Sequence, residues 1–176
     1  HAPPSNGRLL VSKFISLLLL FTLASSTLVS ANEVRKPYPW AIQTAHQASA
    51  PGHVKKVINR AHTLLGIPYL WGGMSLEKGF DCSGMLVYLF KHEAGIQVPR
   101  TTAAMLNAKL QKVAKHELQP GDAVFFRTQG GVRSNHVGLY IGDNRFIHAP
   151  RKGKNIRIDS MNNSYWKRNY TTARRF

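Results

Sequence analysis

The sequence predicts an α+β fold, with helices first and an antiparallel sheet packed against them. Two stretches between residues 53 and 95 carry apolar residues at helical spacing. "LQPGD" at 118–122 is a strong turn signal, and the chain beyond it breaks into short β-like runs. Helices followed by strands read as segregated α and β layers, here a sheet covered on one side. A length of 176 residues suits one such domain, expected to be a monomer.

The elements follow in order. Arg8 and Lys13 lead into an apolar run from Phe14 to Val29, which closes on Val29-Ser30-Ala31, small residues where a signal peptidase reads. Residues 1–31 are therefore expected to be a secretory signal cleaved after Ala31, with residues 1–7 set aside as leading sequence. A retained anchor is the rival, but the run is short for a membrane span and Thr and Ser interrupt its second half. No cysteine follows it, which argues against a lipid-modified form. Residues 32–51 hold three prolines and no sustained period, and read as a linker or arm. Residues 52–176 are the expected domain.

Within it, Val54, Val57, Ile58, Ala61, Leu64 and Leu65 form the stripe of an amphipathic helix that Gly66 stops. "IPYLWGGM" reads as irregular. "CSGMLVYLFKHEAG" sets Met85, Leu86, Leu89 and Phe90 on one helical face and ends at Gly95. A third helix is expected over 101–112. Then come "AVFFR", "NHVGLYIG", "RFIHA", "IRI" and "YTTARRF" as strands.

Charge and cysteine usage narrow the function. Lys and Arg number 24 against 8 Asp and Glu, a net of +16; after cleavage at Ala31 the remainder is +14. Such a surface attracts polyanions. The basic residues are scattered and no nucleic-acid motif accompanies them, so an anionic wall polymer or membrane surface is the expected partner of an exported chain, and nucleic acid is not.

Cys82 is the single cysteine, so an exported chain can form no internal disulfide with it. One reading is a small buried hydrophobe. The other is a nucleophile. Asp81 is placed to cap the helix that Cys82 begins, and a helix N-terminus favours a thiolate, lowering its pKa below the usual ~8.5.

Among eight histidines, His53, His62, His92 and His116 fall in polar or helical settings and are expected on the surface. His136 and His148 each interrupt a β-like run, and "GDN" joins the two runs. A two-residue turn at Asp143-Asn144 would set the two rings on opposite faces; a three-residue turn Gly142-Asp143-Asn144 sets His148 opposite Gly138 and diagonal to His136. The latter is predicted, with Gly138 leaving room for the rings. His136 would then be the base that takes the Cys82 proton, and His148 its orienting partner. Two half-buried sheet histidines are the plain alternative. A metal site on Cys82, His136 and His148 is another, but no fourth ligand at metal-binding spacing completes it.

"GIPYLWGGMSLEKGFDCSGMLVYLF", "VPRTT", "LQPGDAVFF", "HVGLYIGDNRFIHAP" and "YWKRNYTTARRF", in this order, closely resemble the NlpC/P60 family of secreted cell-wall cysteine peptidases. The likeness runs from about Val54 to Phe176. It implies a papain-like fold, no cofactor, and hydrolysis of peptidoglycan stem peptides in the periplasm or envelope of a bacterium. The bond would be γ-D-glutamyl to a diamino acid or the D-alanyl to diamino acid crosslink. By the resemblance Cys82 is the nucleophile, His136 the general base and His148 the third polar residue. Tyr69 assists the oxyanion or substrate, and Asp81 and Ser83 help bind the stem peptide's amine. The loop "MSLEK" is about one residue longer than usual, and Met105 replaces a glutamine at a position expected to face substrate. Other readings are a papain-like amidase or acyltransferase, and a wall-binding protein without turnover.

Overall fold

The computed structural model describes residues 50–176, so the expected signal segment and all but the end of the expected arm lie outside the described residues. Helix α1 (Gly52–Thr63) buries Val57, Ile58 and Ala61, and Leu64 follows them into the core. Leu65, placed on the same stripe by spacing, is 40% exposed, because the helix ends at Thr63 and the chain turns there. The N–H of Gly66 then donates to the Ile156 carbonyl, tying the turn to the other end of the domain.

Helix α2 (Cys82–Ala94) runs as its pattern predicts, with Met85, Leu86, Leu89 and Phe90 all buried. Gly95 ends it in the left-handed conformation, φ 67°, a region that favours glycine. Between α1 and α2, "IPYLWGGM" is not wholly irregular. Strands β1 (Met74–Ser75) and β2 (Gly79–Phe80) form a small hairpin with the "LEK" loop at its tip.

Helix α3 (Thr102–Asn107) is half the length the sequence suggests. A helix of six residues draws little stability from its own hydrogen bonds. Past Ala108, residues Gln111–Val113 find better partners as strand β3, an edge strand paired with the last strand of the sheet.

The remaining strands are β4 (Ala123–Phe126), β5 (His136–Gly142), β6 (Arg145–His148), β7 (Arg157–Ser160) and β8 (Tyr170–Arg175). They make one antiparallel sheet in the order β3-β8-β4-β5-β6-β7. Ala123, Phe125, Val137, Leu139, Ile141 and Ile147 pack on α1 and α2. The opposite face is also covered, against the one-sided sheet expected from sequence. Val124, Phe126, Tyr140, Phe146 and Ala173 pack under Met161 and Trp166, the latter carried by a short helix α4 (Ser164–Asn169). Asn163 caps α4 by accepting the Tyr165 N–H at 2.9 Å. Six residues of helix leave too short a period to read in the sequence.

Asp122 is 1% exposed, and Arg175 grips it with two bonds of 2.7 and 2.8 Å. Arg175→Ala leaves that carboxylate buried with, among the described residues, only the Gln119 N–H as a partner, and is expected to cost about 2 kcal/mol, read as a lower midpoint in urea.

Candidate active site

Cys82 opens α2, where the chain leaves β2, because Asp81 stops the strand and caps the helix. Its Oδ1 accepts the Gly84 N–H at 2.6 Å, and its Oδ2 accepts the Gly72 N–H at 3.1 Å. Arg100 adds a two-pronged ion pair, Nη1 to Oδ1 at 3.0 Å and Nη2 to Oδ2 at 2.8 Å, and Nη1 also donates to Ser83 Oγ at 3.0 Å. A fork of this kind orients as well as attracts. The carboxylate beside the nucleophile is thus held from both sides.

The two histidines meet. His136 Nε2 lies 2.8 Å from His148 Nδ1, and both residues are buried. The strand register is the predicted one, Leu139 opposite Ile147 and Tyr140 opposite Phe146. The turn reaches it differently. Asp143 and Asn144, at φ 50° and 55°, form a two-residue turn between paired Gly142 and Arg145, and a bulge at Ile141 then shifts the register by one. At Gly138, a Cβ would stand 2.6 Å from the Phe146 ring and 3.3 Å from the His148 Cβ, so no larger residue fits beneath the pair. Trp166 stacks on His136 with centroids 5.7 Å apart and meets His148 edge-on at 4.9 Å.

Cys82, His136, Tyr69, Asp81 and Ser83 all line one open groove of about 880 Å³, together with Arg100 and Thr102. His148 stands behind His136. The four histidines expected on the surface are exposed.

The NlpC/P60 family model matches residues 66–175. This chain belongs to the NlpC/P60 family. Murein DD-endopeptidase MepH of Escherichia coli is 40% identical over 144 residues, 81% of this chain and 53% of that protein. Gamma-DL-glutamyl hydrolase of Bacillus subtilis is 39% identical over 120 residues, 68% of this chain and 29% of that protein. A crystal structure of an NlpC/P60 family protein from Bacillus cereus superposes with a TM-score of 0.64 at 36% identity, over 70% of this chain and 40% of that one. The chain spans about half the length, or less, of these relatives. The fold is papain-like α+β, as the NlpC/P60 neighbours are.

The electrostatics of this NlpC/P60 site depart from expectation at the sulfur. Burial raises the Cys82 thiol pKa, and the nearby Asp81 charge adds to it. The Thr102 hydroxyl, 3.7 Å from Sγ, and the Val137 and Ser83 N–H groups pull the other way without reversing it. Helix position alone therefore does not ionise the thiol. Burial holds His136 well below the ordinary imidazole pKa, and His148 and Arg157 push it further the same way. His148 is lowered by burial too, against the pull of Asp159. Both rings are neutral at neutral pH.

The Met105 expectation fails: its side chain is fully buried in the helix-side core and does not reach the groove. Sequence reasoning also missed residues. Arg100 lies in the "VPRTT" block and Asp159 directly follows "IRI" in β7, but neither carries a local signal that ties it to Cys82 or His148. Asp159 Oδ2 stands 2.6 Å from His148 Nε2 and accepts from Arg157 Nε at 2.8 Å.

Proposed function

We propose that this chain is an exported cysteine peptidase that hydrolyses peptide bonds in peptidoglycan stem peptides, with Cys82 as nucleophile, His136 as general base and His148 as its orienting partner. The observation that carries this reading is that His136, bonded to His148 behind it at 2.8 Å, lines the same groove as Cys82. A neutral imidazole beside a protonated thiol is the starting state of a Cys-His mechanism in which the proton moves as the substrate is attacked. The proton passes from sulfur to His136, the thiolate adds to the stem-peptide carbonyl, and backbone N–H groups at the start of α2 face the oxyanion. His136 returns the proton to the leaving amine. Water, deprotonated by His136, then splits the thioester and frees the carboxylate product.

Tyr69 is assigned to the oxyanion or to the substrate. Burial raises its pKa, as do the Cys82 and Asp81 charges, so its hydroxyl keeps its proton and can donate. Asp81 and Ser83 are assigned to the stem peptide's amine. Arg100 holds both and limits how much negative charge the amine meets. The D-alanyl to diamino acid crosslink is the preferred bond, since the relative named a DD-endopeptidase matches 81% of this chain against 68% for the one named a gamma-DL-glutamyl hydrolase.

Digestion of purified peptidoglycan by the protein and by Cys82→Ala, with mass analysis of what is released, tests this. Fragments from the wild type alone, with the masses of opened crosslinks, are the expected result. Fragments cut at the γ-D-glutamyl bond would keep the chemistry and change the bond. Intact sacculi with the wild type would overturn the reading in favour of a binding protein.

A further inference from the structure

The chain of hydrogen bonds does not stop at His148. On β7, Asp159 stands opposite Phe146 and Arg157 opposite His148, so both present their side chains to the face that carries the histidine pair. Their contacts, His148 Nε2 to Asp159 Oδ2 at 2.6 Å and Arg157 Nε to the same oxygen at 2.8 Å, extend the row beyond the third residue.

We propose that Asp159, held by Arg157, is a positioning residue that fixes the tautomers of both histidines and so leaves His136 Nδ1 free to accept the Cys82 proton. This rests on the assignment of Cys82 and His136 as nucleophile and base. An ionised carboxylate only accepts hydrogen bonds, so His148 must carry its proton on Nε2. In a neutral ring that leaves Nδ1 bare. The Nδ1 of His148 faces Nε2 of His136 at 2.8 Å, so the proton in that contact belongs to His136 Nε2. His136 Nδ1 is then an acceptor, the form a general base needs. The opposite arrangement, with His148 protonated on Nδ1, would put the His136 proton on Nδ1 and block it. An imidazole in the third position allows either arrangement, and Asp159 selects one.

The carboxylate must stay ionised for this to hold. Burial alone would raise the Asp159 pKa, but the bonds from His148 and Arg157 outweigh it and hold the group below its ordinary value. Asp159 is also a quarter exposed, at 25% of its side chain, and lines a second pocket of about 440 Å³ beside Arg151 and Arg157, where water reaches it. Among the described residues, the charges that act on the pair are these two β7 residues; Cys82 of α2 lines the same groove as His136, while β4 and α4 present Phe126 and Trp166.

Long-range proton–nitrogen correlation spectra of [¹⁵N]histidine-labelled protein at neutral pH test the assignment directly. The expected result is both His136 and His148 as Nε2–H tautomers. Asp159→Ala is expected to spread His148 over both tautomers and to slow iodoacetamide alkylation of Cys82 at neutral pH about tenfold or more. Asp159→Asn, which keeps an oxygen acceptor, is expected to recover most of that loss. A wild-type His136 protonated on Nδ1, or an Asp159→Ala protein with unchanged tautomers and alkylation, would overturn the proposal. Should the alanine variant not fold, the wild-type spectrum still decides. Neither readout uses peptidoglycan, so expected tautomers alongside undigested sacculi would refute the proposed function and leave the positioning role standing.

Discussion

His136→Ala is expected to lower stem-peptide release by about 10⁴-fold while leaving the fold in place. The size follows from the state of the thiol. Burial raises the Cys82 pKa, so at neutral pH the sulfur carries its proton and has no reactivity of its own to fall back on. The direction with pH is then fixed. A group whose pKa is raised ionises later as pH rises, so the variant should need a more alkaline medium than an ordinary thiol does before iodoacetamide alkylates it. Wild type, with a neutral base lining the same groove as the thiol, should react at neutral pH. Comparing alkylation rates of the two proteins across pH checks this, and coincident profiles would remove His136 from the role of base. The ring is packed under Trp166, so some stability is also lost, and a thermal melt separates that loss from the chemical one.

Gly84→Ala is expected to destabilise the domain by more than about 3 kcal/mol and lower its melting temperature by roughly 10 °C. A Cβ at this position would sit 2.1 Å from the Gly73 carbonyl oxygen and 2.8 Å from Asp81 Oδ1. The first of these is backbone and cannot rotate away. Gly73 is itself fixed, because its carbonyl accepts the Asp81 N–H at 3.1 Å and its own N–H donates to the Leu70 carbonyl. Relief therefore requires the start of α2 to move off the loop that precedes β1, which breaks the Asp81 cap and displaces Cys82. Activity measured below the new melting point should fall as well. A melting temperature within ~2 °C of wild type would show that the two segments yield more easily than this packing implies.

Where the sequence was legible, a local rule and the packing agreed. Met85, Leu86, Leu89 and Phe90 share a helical period, Asp81 precedes that period and Gly95 ends it, and each signal acts within one or two turns. The pairing of His136 with His148 was also readable, since a hairpin confines two residues to one face or to opposite faces. The bulge at Ile141 was not, because a two-residue turn plus a bulge and a three-residue turn give one register. β3 and the shortened α3 depend on a partner strand some sixty residues away, and no pattern in 101–113 announces β8. Asp159 and Arg100 are set by contacts across elements, 11 residues from His148 in one case and 19 from Asp81 in the other. The thiol's raised pKa was missed for a related reason. The helix terminus is visible in the sequence, but the burial that outweighs it is a property of the assembled groove.

The strand order carries a consequence for how this protein comes into being. Among the described residues β8 is the strand furthest along the chain, yet it lies inside the sheet, between β3 and β4, and gives Arg175 to Asp122. Until residues 170–175 have left the ribosome, β4 has an open edge and Asp122 lacks its cation. The sheet therefore closes only after synthesis has passed this point, through contacts between residues far apart in the chain, and such contacts form slowly. Until then the nascent chain carries β5 and β6, and with them His136 and His148, on a sheet whose inner edge at β4 is open.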